Sequence, residues 1–330
     1  MAGEISYKGK KVLVTGGTGL IGRPLVEQLF QRGARVRIAS LDDPSRAHPA
    51  AEFKRVDLME LAHCLAVSEG MDYVFHLAGI KGSPAMTAKK PASFFVPTIS
   101  FNTNMMEAAR RSGVEKYLYT STIGVYAPAE VFHEDDVWKT FPSEHDRFAG
   151  WAKRMGELQA EAYRIEDGWQ DIAIVRPANV YGPYDNFDPE NAMVIPSLIR
   201  RAMDGEDPLV VWGDGRAVRD FIYAEDVARG MLLVMEKSDG RPVNLGSGEG
   251  VTIKRLVEII VAHLKKKPKV VWDTSKPGGD QKRLMDTNRA QALGFKPAVS
   301  LDQGIPLVMD WYRSHKEEIG KRYNVFSKPK

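Results

Sequence analysis

The 330-residue chain has a single cysteine, Cys64, which excludes an internal disulfide and any metal site built from several cysteines. It has no apolar run near the ~18 residues that a membrane-crossing helix requires. Nor has it a charge of one sign, since 46 Lys plus Arg stand against 43 Asp plus Glu, a net of +3. No Lys/Arg stripe forms a nucleic-acid footprint. The densest basic run, Lys265-Lys266-Lys267-Pro268-Lys269, reads as the solvated end of a helix. There is no Gly/Ser-rich linker, no internal repeat and no low-complexity stretch. The beginning of the chain carries Glu4 and turns straight into a strand, unlike a secretory signal. What is present, 43% hydrophobic and 27% charged residues, is the composition of a globular protein with a full core. The expectation is a cytoplasmic protein with no membrane partner, no nucleic-acid partner and no metal.

Short apolar runs rich in β-branched residues predict buried parallel strands at 11–15, 35–39, 53–56, 73–77, 116–120 and 171–176. Helical periodicity predicts helices at 21–30, 102–112 and about 150–164. Strands alternating with helices, joined by right-handed crossovers, give an α/β fold with a doubly wound parallel sheet. After about Tyr181 the pattern changes, with Pro, Gly, Asn and Asp clustering through Asp207. The expected division is a dinucleotide-binding Rossmann domain over 1–180 and a smaller α/β substrate lobe over 181–330, some of whose segments return to the first.

Gly16-Gly17-Thr18-Gly19-Leu20-Ile21-Gly22 lies between a predicted strand and a predicted helix. Its glycine spacing permits a tight turn, close backbone approach to a pyrophosphate, and close packing of helix on strand. The helix N-terminus adds unpaired N–H donors and a partial positive charge. The position at the end of the second strand, which reads the adenosine ribose, falls on Ser40. A small residue there admits the phosphate of NADP, whereas Asp42 can supply the carboxylate that favours NAD. Both cofactors remain open.

TGGTGLIG at 15–22, HLAG at 76–79 and RPANVYGP at 176–183 together resemble the extended short-chain dehydrogenase/reductase family, in its nucleotide-sugar epimerase/dehydratase branch. The resemblance continues through Asp57-Leu58, STIGVY at 121–126 and WGDGRAVRDFIY at 212–223, so it covers almost the whole chain. It implies NAD or NADP as cofactor, a nucleoside diphosphate sugar as ligand, and a homodimer packed through helices at 101–111 and 149–164, to which Met105 and Met106 could contribute. By that resemblance Asp57 and Leu58 border the adenine, while Leu77, Ala78, Gly79, Pro177, Asn179 and Val180 line the dinucleotide. In the substrate lobe Arg219 and Arg283 take the diphosphate. Asn179 bonds sugar or phosphate, and Val194, Pro196, Arg200 and Trp212 border the nucleoside. Lys81 is either a sugar contact or a solvated loop lysine.

The family's chemistry uses a Ser or Thr after the fifth strand and a Tyr and Lys spaced YxxxK. Residues four apart share a helix face, so the ammonium lowers the phenol's pKa and makes it a base. The hydroxyl falls on Thr122 and the Lys on Lys153, which would also bind the nicotinamide ribose. The tyrosine slot holds Ala149. Either the change was made to disable turnover, or the natural protein uses another acid/base, for which Tyr126, Tyr181, Glu144 and His145 are candidates.

Dehydratases carry Asp and Glu after the catalytic Thr, where this chain has Ile123 and Gly124, which argues against dehydration. Similarity to GDP-fucose synthases extends over 191–200, but their Cys and His proton donors correspond to Gly124 and Met193. Hydride transfer at a single sugar carbon remains: a C4 epimerase, with a 4-keto-sugar reductase as the alternative. A dinucleotide-binding sensor without catalysis is the reading from a different class.

Overall fold

The computed structural model describes residues 5–82, 84–276, 280–319 and 322–327. The first half runs β1 (Lys11–Thr15), α1 (Gly22–Gln31), β2 (Arg35–Ser40), β3 (Glu52–Arg55), α2 (Leu61–Ser68) and β4 (Tyr73–His76). It continues with α3 (Pro84–Lys89), α4 (Pro91–Arg111), β5 (Lys116–Thr120), β6 (Val131–Phe132), α5 (Arg147–Glu166), β7 (Ile172–Pro177) and β8 (Asn179–Tyr181). Then come α6 (Val194–Met203), β9 (Leu209–Trp212), β10 (Val218–Tyr223), α7 (Ala224–Lys237), β11 (Val243–Leu245) and β12 (Gly250–Thr252). The last are α8 (Ile253–Ala262), β13 (Val270–Asp273), β14 (Lys282–Met285), α9 (Asn288–Ala292) and α10 (Leu301–Ser314). Among the described residues no helix is long and apolar enough to cross a membrane.

Seven parallel strands form the main sheet in the order β11-β7-β5-β4-β1-β2-β3. Helices cover both faces. Val12 and Val14 of β1 face a core completed by α1 and α7. Leu13, pointing the other way, joins the core formed with α2, α4 and α5. Burial from both sides explains why β4 and β7 read as continuous apolar runs. A third core, among α6, α8, α10, β9 and β10, belongs to the second lobe. The chain nevertheless returns from that lobe, because α7 packs under the main sheet and β11 extends it beside β7.

The predicted strands fall on observed ones, with ends moved by a residue or two. Helix 102–112 is the second half of α4, which starts at Pro91. Prolines 91 and 97 mask that start in a sequence reading, yet Pro91 sits in the first turn, where a missing N–H leaves no bond unmade. Met105 and Met106 are fully buried in the core, so they lie outside any dimer surface.

Helix α5 is drawn close to the sheet by two glycines. A Cβ on Gly150 would lie 2.4 Å from the Gly124 carbonyl oxygen, and one on Gly156 would lie 2.3 Å from the ring of Tyr119. Tyr119 is itself fully buried and cannot yield. We predict that Gly156→Ala overpacks this contact, destabilising the protein by roughly 1–3 kcal/mol and lowering Tm by roughly 2–10 °C. Thermal unfolding followed by circular dichroism measures this; an unchanged Tm would contradict so close a seat for α5.

Candidate active site

The strand order changes direction at β1, whose neighbours are β2 and β4. Open α/β sheets form their ligand crevice at such a switch, beyond the carboxyl ends of the strands. A cavity of about 1000 Å³ lies there, lined at one end by Gly16 and Thr18–Gly22 and at the other by Thr122, Ala149 and Lys153. Leu77, Ala78, Gly79, Pro177, Asn179 and Val180 line it as well, as do Ser40, Asp42, Asp57 and Leu58.

The turn has the geometry that its glycines suggest. Gly16 adopts φ +68°, and a Cβ there would press the Ala78 backbone at 3.1 Å. One on Gly22 would lie 2.2 Å from the Gly16 carbonyl oxygen. Ile21, the N-cap of α1, offers no side-chain cap; the Arg23 N–H is spent on the Gly19 carbonyl at 3.0 Å and Pro24 has none, which leaves the Ile21 and Gly22 N–H groups for a ligand. This shape and chemistry fit the pyrophosphate of a dinucleotide. At the end of β2 the Thr18 hydroxyl donates to Asp42 Oδ2 at 2.7 Å, and lies 2.9 Å from Ser40 Oγ. Asp42 is nearly buried and also accepts the Tyr323 N–H at 2.7 Å.

A buried chain of hydrogen bonds joins β1 to the catalytic end. Backbone N–H groups of Leu77 and Ala78 donate to Thr15 Oγ1, so the Thr15 hydroxyl donates to His76 Nδ1 at 2.8 Å. His76 Nε2–H in turn donates to Asn102 Oδ1 at 2.9 Å. Lys153 Nζ reaches the same oxygen at 3.4 Å and donates to the Thr120 carbonyl at 2.8 Å. Burial pushes the Lys153 ammonium down to about 7, with Glu157 opposing. Thr15 and Asn102 escaped the sequence reading, because their role depends on a partner 61 or 51 residues away.

Thr122 lines the cavity and accepts the Gly124 N–H. Beside it, the Ser121 hydroxyl donates to Glu157, whose carboxylate is held by Arg176 at 2.6 Å. No hydroxyl occupies position 149. Tyr126 and Tyr181 cannot replace it: the Tyr126 hydroxyl donates to Asn244 Oδ1 at 2.6 Å, that of Tyr181 to the Ser300 carbonyl at 3.3 Å, and burial pushes both phenols up. Glu144 and His145 do line the cavity, exposed at its rim. Cys64 is buried, its thiol pushed up to about 12.

Lys81, Val194, Pro196 and Arg283 line the substrate side. Lys81 pairs with the buried Asp185 at 2.6 Å. Arg283 pairs with Asp146 at 2.6 Å, and the Asp146 side chain fills the space 3.3 Å from where a Gly124 Cβ would be. Arg200, Trp212 and Arg219 do not line this cavity. Arg219 stands beside Arg283 in the β10–β14 register but donates to the carbonyls of Val218 and Asp280. Trp212, at the end of β9, is 57% exposed, and Arg200 lies on α6.

His76 is fully buried, and burial, reinforced by the charge of Lys153, pushes its imidazole down to about 3. The unfolded imidazole takes up a proton near 6.5, so the unfolded state binds more protons across the interval between. Stability is therefore lost as pH falls from about 6.5 towards 3. We predict that His76→Gln flattens that part of the stability–pH curve, whatever its absolute stability. Urea unfolding at a series of pH values measures the slopes; identical slopes would contradict a buried neutral imidazole.

With this geometry in hand, the comparisons are specific. Over 321 residues the chain is 32% identical to GDP-L-fucose synthase 1 of Arabidopsis thaliana, covering 94% of this chain and 95% of that one. Its fold superposes on the epimerase Mth375 of Methanothermobacter thermautotrophicus with a TM-score of 0.86 at 27% identity, covering 96% and 95% of the two chains. On UDP-glucose 4-epimerase of Thermotoga maritima, bound to UDP-glucose, it superposes with a TM-score of 0.79 at 28% identity, covering 93% and 99%. The family model described as "NAD dependent epimerase/dehydratase family" matches residues 12–246, from β1 through β11, and the chain belongs to that family.

Proposed function

We propose that the protein is an NAD(P)-dependent nucleotide-sugar epimerase that acts by transient oxidation at C4, and that turnover is impaired because Ala149 stands in the tyrosine slot. The observation that carries this is the placement of Thr122, Ala149 and Lys153 on one cavity whose far end is the glycine turn. The nicotinamide, when bound, supplies reversible hydride exchange with the sugar carbon. The chain supplies the rest. Backbone N–H groups at the start of α1 bind the phosphates, Thr122 Oγ1 orients the sugar hydroxyl, and Lys153 holds the nicotinamide ribose. Arg283 meets the sugar diphosphate, exchanging its pairing with Asp146 for the ligand's charge.

Proton transfer is where the site is incomplete. Oxidising a hydroxyl requires a base within hydrogen-bond reach, and position 149 offers only a methyl group. Among the described residues, ionisable side chains at that end include Lys153, Asp146, which is paired with Arg283, and the rim residues Glu144 and His145. A 4-keto-sugar reductase, needing the same residues for half of the cycle, is the second reading; the 32% identity to a GDP-L-fucose synthase favours it.

Supplying the phenol is the direct test. Ala149→Tyr should raise turnover of a nucleoside diphosphate hexose by about 10²- to 10⁴-fold, followed by NMR of the sugar anomeric protons with UDP-, GDP- and dTDP-linked substrates. Interconversion of C4 epimers identifies the epimerase. Consumption of NAD(P)H with a 4-keto sugar identifies the reductase. No gain with any of these would overturn the assignment of position 149.

A further inference from the structure

The segment from Arg322 to Phe326 forms part of the same cavity wall as the glycine turn. It is fastened at several points. The Tyr323 N–H donates to Asp42 Oδ1 at 2.7 Å, Asn324 Nδ2 to Asp188 Oδ2 at 3.3 Å, and Lys90 Nζ to the Phe326 carbonyl at 2.7 Å. The buried Phe326 ring comes within 3.1 Å of where a Gly82 Cβ would be. So held, the segment sets the Arg322 side chain over the turn, where a Cβ on Gly19 would lie 3.1 Å from Arg322 Nη2. Nη1 of the same guanidinium is buried and has no hydrogen-bond partner among the described residues. Buried guanidinium nitrogens are ordinarily bonded.

We propose that Arg322 binds the pyrophosphate of the dinucleotide, an inference that rests on the dinucleotide reading of this cavity. The turn can offer only backbone N–H groups and about half a unit of positive charge, whereas a pyrophosphate brings two negative charges. Arg23, the nearest arginine in sequence, is committed elsewhere, donating to the Arg46 carbonyl at 2.8 Å and lying 4.6 Å over the Tyr184 ring. Arg322 supplies the missing full charge, and its planar fork suits two phosphate oxygens. The absence of a side chain at Gly19 lets guanidinium and phosphate share that space. The glycine pattern announces half of the phosphate site, and the other half is more than 300 residues away in the sequence.

Dissociation constants for NAD and NADP, measured by isothermal titration calorimetry on the full chain and on Arg322→Ala and Arg322→Lys, test this without recourse to turnover. Arg322→Ala should weaken both dinucleotides by about 10- to 100-fold, as expected for a charge-assisted contact. Arg322→Lys should recover part of the loss, and the deficit should shrink at high salt. Unchanged affinity in Arg322→Ala would overturn the proposal. A loss confined to NADP would also overturn it, by placing the guanidinium at the 2′-phosphate. If the unaltered chain bound neither dinucleotide, the reading of the cavity would itself fail, an outcome distinct from a variant that binds normally.

Discussion

The catalytic end of this molecule depends on one buried ion pair. Arg176 on β7 is fully buried and donates through Nε and Nη2 to the two oxygens of Glu157 on α5, at 2.9 and 2.6 Å. The carboxylate also takes the Ser121 hydroxyl, and the guanidinium also donates to the Tyr126 hydroxyl and the Glu134 carbonyl. The pair therefore locks the rotation of α5 against β5 and β7. One turn earlier, Lys153 is presented to the cavity, and one turn before that, position 149. Removing one member of such a pair leaves an uncompensated buried charge, at about 3–5 kcal/mol.

Much of the fold could be read directly from the chain. Strands buried on both faces announce themselves as continuous apolar runs, and the glycine turn is local, so sequence spacing and spatial spacing coincide. The start of α4 was hidden, because Pro91 signals a break where a first turn tolerates one, and Pro97 signals another inside the helix. Where a motif singled residues out, as at Thr122 and Lys153, they do fall on the cavity. Asn102, Asp146 and Arg322 carry no local signal, since each acquires its role by meeting something distant. The resemblance also suggested Arg219, Arg200 and Trp212 for the ligand, and here geometry departs from it. Arg219 neighbours the lining residue Arg283 in register yet spends its donors on backbone carbonyls.

Ala149 changes the electrostatics of its surroundings as well as the chemistry. In the family pattern the lysine's charge acts on a phenol one turn away. Here no phenol receives it, and the group on which it bears is His76, held neutral by burial and by Lys153 together. Two buried bases linked through one amide oxygen thus both have their protonated forms disfavoured, His76 the more strongly. The near-zero net charge of the whole chain says nothing of this. A helix terminus and individual arginines, each placed by a different part of the fold, give the cavity local positive charge that the sum hides.

The return of the chain from its second lobe has a consequence for how the protein can be divided. Strand β11 covers the flank of β7, which is buried along its entire length. A fragment ending at residue 180 would contain every glycine of the dinucleotide turn and still lack this cover. Its outermost strand would leave the backbone edge of Val175, Arg176 and Pro177 without its partner, the kind of edge that recruits other chains into intermolecular sheets. The cofactor-binding half is thus a structural unit without being a separable one, and during synthesis its edge stays open until residues 243–245 arrive.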